Sequence, residues 1–252
     1  MDEPTTRELY LELLTKVVAN TIYRDAPVPS GWVPEAVFDQ QLRENGVDWP
    51  SQAHTMVGLK RLRNVRECLE RVLADDVAGD FVETGVWRGG VCVLARGVLK
   101  AHGVTDRRVW LADSFRGLPD PGDDGHRLDR EMGLHRFNDV LGVPVEEVRA
   151  NFERYDLLDD QVRFLPGWFS ETLPAAPIER VAVLRLDGDL HSSTTDALRA
   201  LYPRVSVGGF VIVDDYSLPA CRAALEEFRA AARIDEPLVP IDDYSVFWRR
   251  AR

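Results

Sequence analysis

Apolar positions recur along this chain in two rhythms, and the rhythm changes near residue 80. Before that point Leu9, Leu13, Val17 and Ile22, with Tyr10, Leu14 and Val18 beside them, keep helical spacing and predict an opening amphipathic helix. The segment APVPSGWVP, Ala26 to Pro34, interrupts it with three prolines and a glycine, the marks of an irregular loop. Leu59, Leu62, Val65, Leu69 and Val72 predict a second helix over residues 56–73. Residues 1–75 are therefore expected to form a helical cover that packs on a sheet or over its carboxyl edge.

From Asp80 onward short apolar runs alternate with helical stretches. FVETG, VWLAD, VRFLPG, VAVLRLD, GGFVIVDD, PLVPI and SVFWRR predict strands, with helices notably at 91–102, 193–202 and 219–232. Such alternation implies a mostly parallel sheet with helices on both faces. The last two runs are separated only by an Asp-Asp-Tyr turn, so they predict an antiparallel hairpin at the sheet end. Residues 120–148 are long for a βα connection. They begin acidic and glycine-rich, then place Met132, Leu134 and Phe137 on a short helical face. Their position after a ligand-binding strand end makes them a candidate lid over a second substrate; the alternative is a surface excursion with its own packing. At 252 residues the chain suits a single large α/β domain, 1–252.

Charge narrows the ligand classes. A net charge of −11 and the lack of any basic, aromatic-interleaved stripe argue against nucleic acid. Cys68, Cys92 and Cys221 lie far apart, form no CxxC pair, and read as small buried hydrophobes in a reducing cytoplasm. The N-terminus MDEPTTRELY has no apolar signal region, and no run approaches the roughly 18–20 apolar residues a membrane span requires. The expectation is a soluble, cytoplasmic protein without membrane association.

The chemistry begins at DFVETGVWRGG, Asp80 to Gly90: an apolar strand, a terminal acid at Glu83, then a turn with Gly85, Gly89 and Gly90 opening a helix. Strand, acid, glycine turn and helix together present backbone amides and a carboxylate to a nucleotide-like ligand. The glycine spacing is not GxGxxG, and no Lys follows as in a phosphate loop. VWLADSFRG repeats the theme, its strand ending in Asp113, placed to accept hydrogen bonds from ribose hydroxyls. One acid at each of two successive strand ends fits S-adenosylmethionine, with its terminal ammonium and central ribose. Trp168 and Phe169, after VRFLPG, stand where adenine would stack, with core packing as the rival role.

Two later strand ends are more acidic. VAVLRLDGD delivers Asp187 and Asp189, and GGFVIVDDY delivers Asp214 and Asp215. Consecutive parallel strands meet at one carboxyl edge, so Asp187, Asp214 and Asp215 are expected to converge. Without a basic partner nearby in sequence they would repel unless a hard cation joined them, and an all-oxygen set suits Mg2+. Zinc would want His or Cys ligands, and no such cluster exists. Asp189 is as readily a turn or helix-cap residue. A divalent ion here would orient a hydroxyl and lower its pKa for removal of the proton by a carboxylate. Of His54, His102, His126, His135 and His191, the sequence positions His135 and His191 closest to an acceptor.

HTMVGLKRL, ETGVWRGG, DSFRGLP, RFLPGWFSETLP, LRLDGD and VIVDDY together give the chain a nearly end-to-end resemblance to the macrocin O-methyltransferase family, which methylates sugars of macrolide and aminocoumarin antibiotics. The mycinamicin/tylosin branch is the most similar. The resemblance implies a class I methyltransferase, Rossmann-like fold with seven strands in the order 3-2-1-4-5-7-6 and an antiparallel last strand. It implies an S-adenosylmethionine- and Mg2+-dependent enzyme acting on a glycoside, assembled as a homodimer or higher oligomer. By motif, Thr55 and Met56, Glu83, Thr84, Gly85, Val86 and Trp87, Asp113, Ser114, Phe115, Arg116 and Gly117, and Trp168 with Phe169 would line the cofactor site. Asp187 would be general base and metal ligand, Asp214 and Asp215 the other ligands, and Met132, Leu134 and His135 would face the acceptor. The alternatives are a phenol or catechol O-methyltransferase and a non-catalytic S-adenosylmethionine-binding protein.

Overall fold

The computed structural model describes residues 3–31 and 33–252; Met1 and Asp2 of the acidic N-terminus and Trp32 of the proline-rich segment lie outside them. Four groups of elements follow in chain order. The first holds α1 (Thr6–Val18), α2 (Gln40–Asn45) and α3 (Leu59–Ala74). The second holds β1 (Asp80–Thr84), α4 (Gly90–Ala101), β2 (Val109–Asp113), α5 (Arg127–Met132), α6 (Asn138–Leu141) and α7 (Val145–Arg154). The third holds β3 (Val162–Pro166), α8 (Phe169–Thr172), β4 (Val181–Leu186) and α9 (His191–Leu201). The last holds β5 (Val205–Val213), α10 (Pro219–Ala232), β6 (Val239–Pro240) and β7 (Val246–Arg249).

The seven strands form one sheet ordered β3-β2-β1-β4-β5-β7-β6, as the family resemblance implies. β1 to β5 pair in parallel, and β7 runs antiparallel to β5 and β6. Strand alternation sends Phe81, Leu111, Val183 and Ile212 to one core, where α1, α3, α4 and α7 pack. Val82, Trp110, Leu184 and Val211 go to the other, under α9 and α10. The same alternation carries two charged residues into the first layer, because Glu83 and Arg185 are register partners on β1 and β4. No helix among the described residues is long and apolar enough to cross a membrane.

Several boundaries differ from expectation for local reasons. α1 stops at Val18, and Asn20 and Arg24 take positive φ, leaving Ile22 beyond the helix. α3 starts at Leu59, not Met56, because His54 and Thr55 both donate backbone N–H to Val18 O and Thr55 Oγ1 accepts from Val57 N. α2 is unforeseen; Asp39 caps it at Leu42 N and Gly46, at φ +64, ends it. α7 begins inside the predicted lid, and its Val148 and Phe152 are fully buried in the first core. The excursion after β2 therefore closes by Pro144. β6 is only two residues long, since Pro240 has no N–H to continue the ladder.

Candidate active site

Three turns are set side by side at the carboxyl edge because backbone bonding continues past the strand ends. Gly85 N donates to Ala112 O, Asp187 N to Thr84 O and Asp214 N to Leu186 O, each at 2.9 Å. Gly85 has φ +86, and a Cβ there would collide with the Asp187 carbonyl, so the β1 and β4 turns meet only with glycine at this position. One cavity of about 770 Å³ opens over these turns, within the range of small-molecule sites.

Most of the predicted residues meet there. Thr55, Met56, Glu83, Gly85, Val86, Trp87, Asp113, Ser114 and Gly117 line the cavity, with Leu134, Trp168, Phe169, Asp187, Asp214 and Asp215. Five do not belong to its lining. Thr84 alternates to the opposite side of β1 and offers its hydroxyl to Arg185 O. The buried Phe115 ring lies 6.1 Å from Phe164 in the core, and Arg116 is exposed, its backbone N–H bound to Ser114 Oγ. Met132 is half-buried on α5, and His135 lies 4.0 Å from the Asp120 carboxylate.

Asp113 works on the backbone. Its Oδ2 accepts from Val86 N and its Oδ1 from Phe115 N, both at 2.7 Å, so one carboxylate holds the turns after β1 and β2. Burial raises its pKa while these N–H bonds pull it down. Trp87 Nε1 donates to Val140 O at 2.9 Å, and Asn138 pairs with both backbone groups of Leu118 at 2.8 Å, fastening the excursion to the glycine turn.

The expectation that the later acids lack a basic partner does not hold. Arg185, fully buried beneath the cavity, donates to Glu83 Oε1, to Asp187 Oδ2 at 2.6 Å and to Asp214 Oδ1. Arg61 of α3 donates to Asp214 Oδ2 at 2.5 Å. The signal was present: a charged residue inside the apolar strand VAVLRLD must be buried and paired. Glu83 is further held by Cys92 Sγ at 2.8 Å, and burial pushes its pKa up to about 7 against the opposing Arg185 charge.

Asp187, Asp214 and Asp215 each offer an oxygen within 4.8 Å of the others. Burial would raise Asp214, but Arg185 and Arg61 prevail and hold it below the usual carboxylate range. Burial and then the neighbouring acids raise Asp215 well above that range; burial raises Asp187, and Asp189 reaches about 7. Asp189 is not the cap of α9. It takes φ +57 and donates its N–H to Asp215 Oδ2 at 3.0 Å.

The cap of α9 comes from the excursion. Asp129 of α5, 1% exposed, accepts from His191 N at 2.6 Å and Ser192 N at 3.1 Å. His191 points to Glu227 at 3.0 Å and stacks on His126, ring centroids 3.7 Å apart. Of this pair it is His126 that lines the cavity, a placement that its acidic, glycine-rich context did not reveal.

Known proteins share this arrangement. The sequence profile described as Macrocin-O-methyltransferase (TylF) matches residues 7–250. The chain is 61% identical over 243 residues to the 8-demethyl-8-(2,3-dimethoxy-alpha-L-rhamnosyl)-tetracenomycin-C 4'-O-methyltransferase of Streptomyces olivaceus, covering 96% of this chain and 93% of that one. It is 53% identical to the Mycinamicin III 3''-O-methyltransferase of Micromonospora griseorubida over the full length of both. Among solved structures, the O-methyltransferase NovP superposes with a TM-score of 0.94 at 56% identity, covering 98% of this chain and 100% of that one. The calicheamicin methyltransferase CalS11, at a TM-score of 0.56 and 20% identity over 98% and 94% of the two chains, shares the class I methyltransferase fold. A glycine turn tied to Asp113, acids gathered at the next strand ends and a match along nearly the whole chain place this protein in the TylF macrocin O-methyltransferase family.

Proposed function

We propose that this enzyme transfers the methyl group of S-adenosylmethionine to a sugar hydroxyl of a glycosylated natural product. Asp187 acts as general base, and Asp187, Asp214 and Asp215 hold Mg2+. The observation that carries it is the convergence of these three carboxylates in the wall of the cavity that the Gly85 and Asp113 turns also line.

The donor set fits a hard cation. All three ligands are oxygens, gathered within 4.8 Å of one another. Glu83, Asp187 and Asp214 pair with the buried Arg185, and Asp214 also with Arg61, while Asp189 and Asp215 line the same cavity. When bound, the cation supplies Lewis-acid polarisation of the acceptor hydroxyl, and S-adenosylmethionine supplies an electrophilic methyl.

The chain's own residues do the rest. The Gly85 turn lets the backbone approach the cofactor, and Glu83 offers a carboxylate for its ammonium. Trp168 and Phe169 supply flat apolar surface for the adenine. Asp187, anchored through Oδ2 by Arg185, accepts the hydroxyl proton as the methyl transfers. The segment 120–144 serves as a lid, docked through Asp129, that excludes water and contributes Leu134 and His126 to the acceptor side. Polar groups at Ser192, Ser193, Asp196 and Ser217 favour a sugar over the flat apolar slot a phenol would need. Leu9 and Leu13 of α1, 57% and 54% exposed, with Tyr23 at 85%, support a homo-oligomer.

The test is methyl transfer to a panel of glycosylated macrolides, other deoxysugar conjugates and simple phenols, each with Mg2+ and with EDTA. Mg2+-dependent methylation of a glycoside is expected. Activity confined to phenols, or unaffected by EDTA, would overturn the acceptor or the metal assignment respectively.

A further inference from the structure

Arg61 faces two ways. Toward the sheet its Nη1 meets Asp214 Oδ2 at 2.5 Å, and its Nε lies 3.0 Å from Asp242 Oδ2 in the β6–β7 turn. Away from the sheet its Nη2 donates to Asn45 O at 3.0 Å and Gly46 O at 3.1 Å. Those carbonyls belong to the C-terminal end of α2, which has orphan acceptors and partial negative charge for a guanidinium to meet. The chain then runs through Gly46, Val47, Asp48 and Trp49, which form one wall of the cavity.

Packing makes this contact rigid. Gly46 caps α2 and Gly58 caps the start of α3, and a Cβ on either would strike the other's backbone or its neighbours. Two glycines therefore let the wall lean on α3 closely enough for Arg61 to reach the loop carbonyls. Behind the wall Arg43, 1% exposed, binds Asp48 at 2.9 Å, Asp25 at 2.7 Å and Ala19 O at 3.2 Å, fixing it to the end of α1. The Arg61 fork links this wall to the carboxylate cluster.

We propose that Arg61 is a positioning residue for methyl transfer: it ties the 46–49 wall of the acceptor side to Asp214, so acceptor placement and the carboxylate cluster share one register. Trp49 of this wall meets Phe137 of the lid edge-on, ring centroids 5.4 Å apart, which puts the wall on the acceptor side; that assignment rests on the proposed function. Arg is required because its planar fork spans a carboxylate and two carbonyls, whereas a Lys ammonium is a point charge that reaches one of them. Misplacement of the acceptor by about 1 Å is enough to reduce transfer strongly.

Arg61→Lys and Arg61→Met in the full chain test this. Asp214 keeps Arg185 in both variants, so neither leaves that carboxylate unpaired. Amide hydrogen exchange of the ligand-free proteins should accelerate by about tenfold or more in peptides over 44–50 in both variants. Exchange over 84–90 and S-adenosylmethionine affinity by calorimetry should stay within about twofold of the parent. With a glycoside that the parent methylates, the acceptor KM should rise about tenfold or more in both variants. Unchanged exchange over 44–50, or an unchanged acceptor KM, would overturn the proposal. So would equal loosening of 84–90 with loss of cofactor affinity, which marks a general structural residue. If the parent methylates no glycoside, the proposed function fails, while the exchange data still decide whether Arg61 ties wall to cluster.

Discussion

Asp113 ends β2 and Asp215 follows β5, both in the lining of one cavity, and burial raises the pKa of both. Their partners differ. Asp113 accepts two backbone N–H groups at 2.7 Å, so its charge is answered by the turns it holds. Asp215 accepts one, from Asp189 at 3.0 Å, and otherwise faces Asp189, Asp187 and Asp214. The half of the cavity around Asp113, proposed above for the cofactor, is thus ordered by backbone geometry. In the other half Arg185 and Arg61 pair with Asp187 and Asp214, and burial with the neighbouring acids raises Asp215. A carboxylate held by its turns and a crowded acidic cluster lie a few side chains apart.

That contrast predicts different kinds of damage. Asp187→Asn removes the base while leaving the glycine turns alone; turnover should fall by about 10²–10⁴-fold with S-adenosylmethionine affinity unchanged by calorimetry. Less than about a tenfold loss would remove Asp187 from the base role. Asp113→Ala should do the reverse, weakening the cofactor by about 1.5–3 kcal/mol through lost charge-assisted bonds and the loosened turns. Turnover at saturating cofactor should survive, and an unchanged dissociation constant would show that the turns hold without it. Asp129→Ala leaves both halves intact but strips the cap from α9. It should cost about 1 kcal/mol, a melting-temperature drop of about 2–4 °C, with faster proteolysis of 120–144. Equal melting and proteolysis in parent and variant would mean that the excursion docks by other contacts.

Sequence reading succeeds where the cause is periodic and fails where it is three-dimensional. The strands follow from the short apolar runs, their order from the family resemblance, and the convergence of Asp187, Asp214 and Asp215 from parallel strands sharing an edge. Arg185 was equally readable, lying between Leu184 and Leu186 in a strand buried at every position, yet its partners become evident only with the β1–β4 register. Arg61 gave no such signal: an arginine in GLKRL looks like the polar face of an amphipathic helix until α2 is packed against it. Asp129 was invisible for the same reason, because the helix it caps begins 62 residues away in sequence. α2 itself is six residues long, too short for a periodic signature. In the polar start of the excursion, His126 and Asp129 line the cavity while Asp123, Asp124 and Arg127 do not, a division that sequence position alone does not show.

The smallest expected effect sharpens the comparison from behind the cofactor half. His54 carries its backbone carbonyl to Gly90 N at 2.8 Å, at the start of α4, while its ring Nδ1 lies 2.6 Å from Tyr155 OH. Burial lowers its pKa to about 4, assisted by the charges of Arg154 and Arg88. Burial also pushes the Tyr155 hydroxyl up to about 12, so it remains protonated and able to donate to a neutral imidazole. In the unfolded chain the imidazole takes up a proton near its ordinary value of 6.5, well before it does so in the fold. Between those values the unfolded state binds more protons, so stability falls as pH drops from 6.5 toward 4 and is fully present above 6.5. The melting temperature of the parent relative to His54→Asn should fall as pH drops from 6.5 toward 4, because Asn has no proton to take up and the other groups titrate alike in both. A difference that does not change with pH would overturn the role of His54, since the buried carboxylates cannot mimic it: the fold raises Glu83 and Asp189 to about 7, and such groups gain stability as pH drops.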